Sequence, residues 1–201
     1  MPERAIHRMT ADEFLSWHEG QEQRYELVDG VPVAMAGARR RHDQVVVNAL
    51  VCIGGQLGVG PCRPFSSDTA VRISAYQIRY PDVGIDCGRF LDEELAADAP
   101  ALVLEVLSEG TRAFDTLGKL EEYKSVASLR HIVLVDTDEP RIIYWSRAMG
   151  EAWSYRTLGG LDATLAIVDP GVAVPLRTLY SGLTFRQKPR LVTEVELPSP
   201  H

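Results

Sequence analysis

The segment from Ala101 to Ser125 reads ALVLEVLSEGTRAFDTLGKLEEYKS. It begins with an apolar run of strand length, continues through a turn, and ends in a segment whose apolar residues recur at helical spacing. A carboxylate, Glu105, lies near the end of the apolar run, and Lys119 lies in the middle of the helical segment. Because burying a lone carboxylate is costly, we expect Glu105 to be paired with a cation or to bind a metal.

The flanking sequence extends this strand–helix unit into a sheet. RHIVLVDTD follows the helix and predicts a second core strand, so that 101–135 forms a right-handed crossover between parallel strands. Upstream, RYELVDGVPVAMA predicts a hairpin around Asp29-Gly30, and MTADEFLSWHEG predicts a short helix with Thr10 and Glu13 as a capping box. The order of elements therefore predicts an α/β or mixed α+β core with a central mixed β-sheet flanked by helices.

Length and composition set the limits of the protein class. The chain has 201 residues, of which 45% are hydrophobic and 24% charged, as in soluble globular proteins. We expect a single domain over 1–185 and a flexible tail over 186–201. The sequence contains neither an apolar run of about 18 residues nor a signal-peptide pattern, which predicts a cytoplasmic protein without a membrane partner. We interpret the cysteines as buried thiols, and they are Cys52, Cys62 and Cys87.

The net charge of −7 argues against general electrostatic binding of nucleic acid. It leaves room for a nuclease, since active-site carboxylates add negative charge that a metal offsets, and a local basic stripe can suffice. We interpret each of the candidate arginines first as a solvated surface residue, although together they could form such a stripe. They are Arg39, Arg40, Arg41, Arg63, Arg72, Arg79 and Arg112.

Two acidic residues and a lysine form a candidate constellation. RYPDVGID places Asp82 at the start of a strand, directly after a proline, and Glu105 lies near the end of the next core strand. Carboxylates at adjacent strand ends can hold Mg²⁺ or Mn²⁺, which keep several waters and accept phosphate oxygens. Lys119 on the following helix could orient a metal-bound water and stabilise charge that develops on phosphate.

With these residues in place, the sequence resembles the PD-(D/E)XK nuclease superfamily, and more closely its bacterial Uma-type restriction endonuclease-like family. The resemblance is carried by PD, LVLEVLS and DTLGKLEEY, together with RYELVDGVPVAM and YKSVASLRHIVLVD, and covers roughly residues 8 to 185. The superfamily lysine stands two residues after the glutamate, where this chain has Leu107. In the Uma-type family the lysine role moves to the following helix, which fits Lys119. SEGT at 108–111 also replaces the family's usual serine-proline turn.

The resemblance implies a role for each of these residues. Asp82 and Glu105 are expected to be metal ligands, with the Val106 carbonyl as a third, and Lys119 is expected to be the catalytic lysine. Glu26 is expected to be a further acidic member that binds a second metal or holds Lys119 in place. The implied function is a Mg²⁺-dependent nuclease that hydrolyses phosphodiester bonds, with DNA as its partner. A homodimer would suit cleavage of a duplex.

Structural alternatives exist for each site residue. Glu105 could form a salt bridge at the sheet edge, Asp82 could cap the turn after Pro81, and Lys119 could pair with Asp115 four residues earlier. Glu26 could be an exposed strand residue. Residues that we interpret as surface or structural, rather than as site members, are His42, Asp86, Tyr123 and His131. The rival functions are a catalytically silent binding or regulatory module on the same fold and a structural or oligomeric protein.

Overall fold

The computed structural model describes residues 8–35, 37–107 and 115–185. The predicted tail at 186–201 and the predicted helix start at Thr111 lie outside the described residues. The helices are α1 (Ala11–His18), α2 (Arg40–Leu57), α3 (Asp115–Ser125) and α4 (Leu176–Leu179). The strands are β1 (Tyr25–Val28), β2 (Val31–Ala34), β3 (Arg63–Ser66), β4 (Val71–Ser74), β5 (Gln77–Arg79), β6 (Val83–Asp86), β7 (Pro100–Leu107), β8 (His131–Asp136), β9 (Arg141–Ser146), β10 (Ser154–Gly159), β11 (Thr164–Ile167) and β12 (Val172–Pro175).

The main sheet is mixed, as the sequence predicts. Its six strands are ordered β10-β9-β8-β7-β6-β3. β7 and β8 are parallel, in a register from Leu102 opposite His131 to Leu107 opposite Asp136, and α3 lies between them in the chain. The remaining neighbours pair antiparallel. The predicted strand–helix–strand unit is therefore the centre of the fold.

Strand β7 is covered on both faces, as its nearly continuous apolar sequence predicts. Leu102, Leu104 and Val106 join a core cluster with residues of α2, whereas Val103 joins a second cluster with Leu120 and Tyr123 of α3. Since successive side chains of a strand point to opposite faces, Glu105 lies on the α3 face. The alternation along one strand thus assigns the carboxylate to the same side as the helix that carries Lys119.

A smaller sheet, ordered β2-β1-β5-β4, adjoins α3 and is covered by α1. Val71 of β4 belongs to the α3 cluster, so α3 lies between the two sheets. The predicted hairpin turn is present: Asp29 and Gly30 have φ of 50° and 79°, and Cβ on Gly30 would lie 2.7 Å from Cβ of Arg8. The turn therefore requires glycine at this position both for its backbone conformation and for space.

The cysteine interpretation was wrong for two of the three residues. Cys62 and Cys87 form a disulfide, whereas Cys52 is a free thiol. The reason is strand register: β3 pairs with β6 so that Arg63 lies opposite Asp86, which places the next pair, Cys62 and Cys87, directly across the ladder. A sequence separation of 25 gives no local sign of this pairing.

In the described part of the chain, none of the helices combines the length and apolar character needed to cross a membrane.

Candidate active site

Asp82 and Glu105 are cross-strand neighbours. The β6–β7 ladder pairs Val83 with Leu104, so one further step brings Asp82 opposite Glu105 on the α3 face of the sheet. The Asp82 carboxylate accepts a hydrogen bond at Oδ2 from the Val106 amide, at 2.7 Å. Asp82 therefore bonds across to β7, instead of capping the turn after Pro81.

The Glu105 carboxylate is half-buried and lies next to another negative charge. Its Oε1 accepts a hydrogen bond of 2.7 Å from the Tyr123 hydroxyl. Burial raises the pKa of Glu105 to about 7, and the charges of Asp82 and Glu26 act in the same direction, while Lys119 and the Tyr123 hydrogen bond oppose them. Two adjacent carboxylates, one of them titrating near neutral pH, form a site whose negative charge a cation would stabilise.

Lys119 is held by Glu26 across the gap between α3 and the smaller sheet. Lys119 Nζ lies 2.9 Å from Glu26 Oε1, and Glu26 Oε2 accepts a hydrogen bond of 2.7 Å from Arg79 Nη1. The Tyr80 amide also donates to Glu26 Oε1, at 3.4 Å. Burial disfavours the Lys119 ammonium, but Glu105 and Glu26 outweigh this effect and raise the pKa of Lys119. Both Glu26 oxygens are thus engaged in holding cations, and the Asp115 side chain, the alternative partner of Lys119, lies outside the described residues.

Arg79 completes this ion network. The β1–β5 ladder pairs Leu27 with Ile78, so Glu26 lies opposite Arg79. Arg79 also forms a bidentate pair with Glu122 of α3, at 2.6 Å through Nε and 2.8 Å through Nη2. Its side chain is only 9% exposed, so the surface interpretation of Arg79 was wrong. The guanidinium joins the smaller sheet to the helix that carries Lys119.

His42, at the start of α2, reaches the site from the other face of the sheet. Its Nε2 lies 3.1 Å from Asp82 Oδ2, and the two side chains are only 17% and 19% exposed. Burial lowers the pKa of His42, but its hydrogen bond to Asp82 and the charge of that carboxylate outweigh this effect, so the pKa of His42 is raised. An ionised carboxylate only accepts hydrogen bonds, so with such a partner Nε2 would be the donor. The interpretation of His42 as a surface residue was therefore wrong.

Tyr123 was also missed by the sequence interpretation. A usable signal existed for it, since it stands four residues after Lys119 and is therefore a neighbour on the helix surface. His42 offered no such signal, because 40 residues separate it from Asp82.

Other sequence candidates lie away from this cluster. Asp86 accepts hydrogen bonds from loop amides, including those of Gly88 and Ala99, and so organises a loop. The candidate arginines within the described residues do not form one stripe. Arg41 donates to the carbonyls of Thr137 and Thr184, Arg72 pairs with Asp12, and Arg63 lies over the ring of Phe90. Arg39 and Arg40 are exposed at the start of α2, close in sequence to His42, and Arg112 lies outside the described residues.

The donor set suits a hard divalent cation. Within the described ranges, no group of three or more His, Cys, Asp or Glu side chains is arranged to hold a metal ion. The available oxygens are those of the Asp82 and Glu105 carboxylates and of the Val106 carbonyl in β7. The Val106 amide donates to Asp82. In an extended strand the carbonyl of a residue points to the same side as its amide, so the Val106 carbonyl also faces Asp82. Mg²⁺ commonly takes one or two carboxylates and fills its other positions with water and substrate oxygens, so these residues fit it.

Comparison with known proteins places this geometry in context. The Uma2 family model, described as "Putative restriction endonuclease", matches residues 11–177. The uncharacterized protein slr1290 of Synechocystis is 27% identical over 186 residues, covering 92% of this chain and 97% of that protein. A second uncharacterized Synechocystis protein, sll1609, is 26% identical over 161 residues, covering 78% of this chain and 91% of that protein.

A solved structure shares the fold. It is that of a "putative nuclease belonging to DUF820" from Anabaena variabilis, and it matches with a TM-score of 0.66 at 18% identity. The match covers 86% of this chain and 98% of that one. The restriction endonuclease-like core predicted from the sequence is therefore confirmed at the level of the fold.

Proposed function

The chain belongs to the Uma2 family, and from this premise we propose that it is a metal-dependent nuclease that hydrolyses phosphodiester bonds in DNA. The observation that carries the proposal is the cross-strand pair of Asp82 and Glu105, with Lys119 on the adjoining helix and within the electrostatic reach of Glu105. An apolar strand does not hold a carboxylate beside another carboxylate without a compensating charge.

The proposed metal site consists of the Asp82 and Glu105 carboxylates and the Val106 carbonyl. Mg²⁺ or Mn²⁺, when bound, supplies polarisation of a phosphate oxygen and a lower pKa for a bound water. Two carboxylates leave positions for water and phosphate, as hydrolysis requires.

Lys119 positions the attacking water and stabilises the negative charge that develops on phosphate. Its raised pKa keeps the ammonium protonated at neutral pH, so it acts as a hydrogen-bond donor and a fixed charge. Glu26 orients the ammonium through the 2.9 Å contact. Because both Glu26 oxygens already accept hydrogen bonds, this holding role is favoured over a second metal site.

DNA is proposed as the substrate because the matching family model is described as "Putative restriction endonuclease". The net charge of −7 limits binding to local contacts, and exposed Arg39 and Arg40 at the start of α2 provide cations near the His42–Asp82 pair.

The test is calorimetric titration of Mn²⁺ into the wild type and Glu105→Gln, with both proteins also incubated with supercoiled plasmid and with single-stranded DNA. Glu151→Gln, which removes the same charge at an exposed loop position, is the matched control. We expect the wild type and the control to bind Mn²⁺ and cleave, and Glu105→Gln to do neither. A wild type that binds no Mn²⁺ would contradict the metal site. Binding without cleavage of either DNA would instead favour the catalytically silent module.

A further inference from the structure

We propose that His42 and Tyr123 are positioning residues that fix how the metal is coordinated, because each engages one oxygen of an acidic ligand and leaves the other oxygen for the cation. The atoms that would hold the metal are then Oδ1 of Asp82 and Oε2 of Glu105. This inference rests on the proposed function and adds the residues that orient the ligands.

The Asp82 carboxylate is held at one oxygen by two donors. Its Oδ2 accepts a hydrogen bond of 2.7 Å from the Val106 amide, and His42 Nε2 lies 3.1 Å from the same oxygen. A carboxylate oxygen offers two lone pairs, so these bonds fill the acceptor capacity of Oδ2 and leave Oδ1 as the coordinating atom. The two donors come from β7 and α2, which lie on different sides of Asp82 and so fix both its position and its rotation.

His42 is itself fixed by the core. It lies in the first turn of α2, whose residues Val45, Ala49 and Ile53 are buried against the main sheet. A helix anchored in this way holds the imidazole in place without any contribution from a bound metal. The orientation of Asp82 is therefore built into the fold.

Glu105 is held in the same way by a buried hydroxyl. Among the described residues, the hydrogen bond that this carboxylate accepts comes from Tyr123 and falls on Oε1, at 2.7 Å. The Tyr123 ring is 1% exposed and belongs to the core cluster between α3 and the main sheet. Its hydroxyl therefore cannot move away, and Oε2 is the oxygen left for coordination.

This arrangement suits an octahedral cation. Each carboxylate would offer a single oxygen to a bound Mg²⁺ or Mn²⁺, which would leave the other positions for water and phosphate. Hydrogen-bond partners of metal ligands contribute to affinity by orienting them, and their loss typically weakens binding about 10- to 100-fold. His42 and Tyr123 act through Asp82 and Glu105 and need no contact with the substrate.

The test compares Mn²⁺ affinity, measured by calorimetry, in His42→Leu, His42→Gln and Tyr123→Phe. Glutamine places an amide nitrogen close to the position of His42 Nε2, so it can keep the hydrogen bond that leucine loses, and phenylalanine keeps the buried ring of Tyr123 but removes its hydroxyl. We expect His42→Leu and Tyr123→Phe to weaken Mn²⁺ binding about 10-fold or more, and His42→Gln to stay within about 3-fold of the wild type. Thermal unfolding without metal identifies any variant that has lost its fold.

A second readout is the number of waters on bound Mn²⁺, measured by water proton relaxation. A carboxylate released from its hydrogen bond can coordinate through both oxygens, so Tyr123→Phe should carry about one water fewer. The inference is overturned if wild type, His42→Leu and Tyr123→Phe bind Mn²⁺ equally, or if the leucine and glutamine variants weaken binding alike. Equal binding leaves the nuclease proposal intact, whereas a wild type that binds no Mn²⁺ overturns both.

Discussion

Lys119 Nζ lies 2.9 Å from Glu26 Oε1, and 93 residues separate the two in the chain. The contact joins α3 to the smaller sheet, next to the Asp82–Glu105 pair on the main sheet. Leu107 occupies the position where the nuclease superfamily has its lysine, and in the proposed function Lys119 of α3 takes that role. In the proposed function, Glu26 holds this lysine toward the acidic pair.

Replacement of Lys119 should separate cleavage from metal binding. Lys119→Gln removes the charge but leaves Glu26 paired with Arg79, so the ion network retains a cation. We expect the cleavage rate to fall about 10²- to 10³-fold, as when a donor to a developing oxyanion is lost. Single-turnover cleavage and Mn²⁺ calorimetry on one preparation measure the two effects. Lys124→Gln, on the same helix but paired with Glu121, is the control and should cleave normally. Equal rates for the two variants would show that Lys119 has no part in catalysis.

Arg79 is expected to be essential for stability. Arg79→Leu leaves Glu26 and Glu122 without their shared guanidinium, and the Glu26 side chain is only 9% exposed. Breaking a buried pair from one side costs about 3–5 kcal/mol of unfolding free energy, measurable by urea denaturation. Arg177→Leu, which breaks the exposed pair with Asp162, should cost less than about 1 kcal/mol. Similar losses in both variants would mean that the Arg79 network contributes no more than a surface pair.

Local patterns explain why much of the fold was predictable. The apolar run of β7, the helical spacing in α3 and the Asp29-Gly30 turn each depend on residues close in sequence, and all three are present. The family pattern gave Asp82, Glu105, Lys119 and Glu26 as candidates, and the structure brings them together.

Contacts set by strand register and helix docking were not predictable in this way. Cys62 meets Cys87 only because β3 and β6 align in one particular register. His42 reaches Asp82 only because α2 docks on the main sheet, and Arg79 is buried only because α3 covers it. A charged or polar residue has the same local pattern whether it is solvated or engaged in such a contact, so sequence reasoning assigned His42 and Arg79 to the surface.

His131 should make stability depend on pH. It is buried, its Nδ1 lies 2.7 Å from the Tyr144 hydroxyl, and burial lowers its pKa from 6.5. Between the lowered pKa of the folded state and 6.5, His131 binds more protons in the unfolded chain than in the folded one. The stability that neutral His131 contributes is therefore complete above pH 6.5 and is lost as the pH falls toward the folded-state pKa. His131→Asn keeps an acceptor for Tyr144 but does not titrate.

Urea denaturation of the wild type and His131→Asn measures this contribution, at one pH well above 6.5 and one pH below it, since 6.5 is the pKa of His131 in the unfolded chain. The wild type should lose more unfolding free energy on acidification than the variant, and the difference belongs to His131. Equal losses in the two proteins would mean that His131 protonates as readily in the folded chain as in the unfolded one.

Arg39 and Arg40 should carry much of the affinity for DNA. Both are exposed at the start of α2, one helical turn or less from His42, and the rest of the chain is acidic. Replacing both with alanine should weaken binding and reduce the slope of log affinity against log salt by about 1.8, since each phosphate contact contributes about 0.9.

Fluorescence anisotropy with a labelled duplex, in the Glu105→Gln background that prevents cleavage, measures this slope. The matched control replaces Arg89 and Arg177, two exposed arginines outside α2, and removes the same total charge. A specific phosphate contact lowers the slope only in the first pair, whereas equal effects would show that net charge alone decides binding.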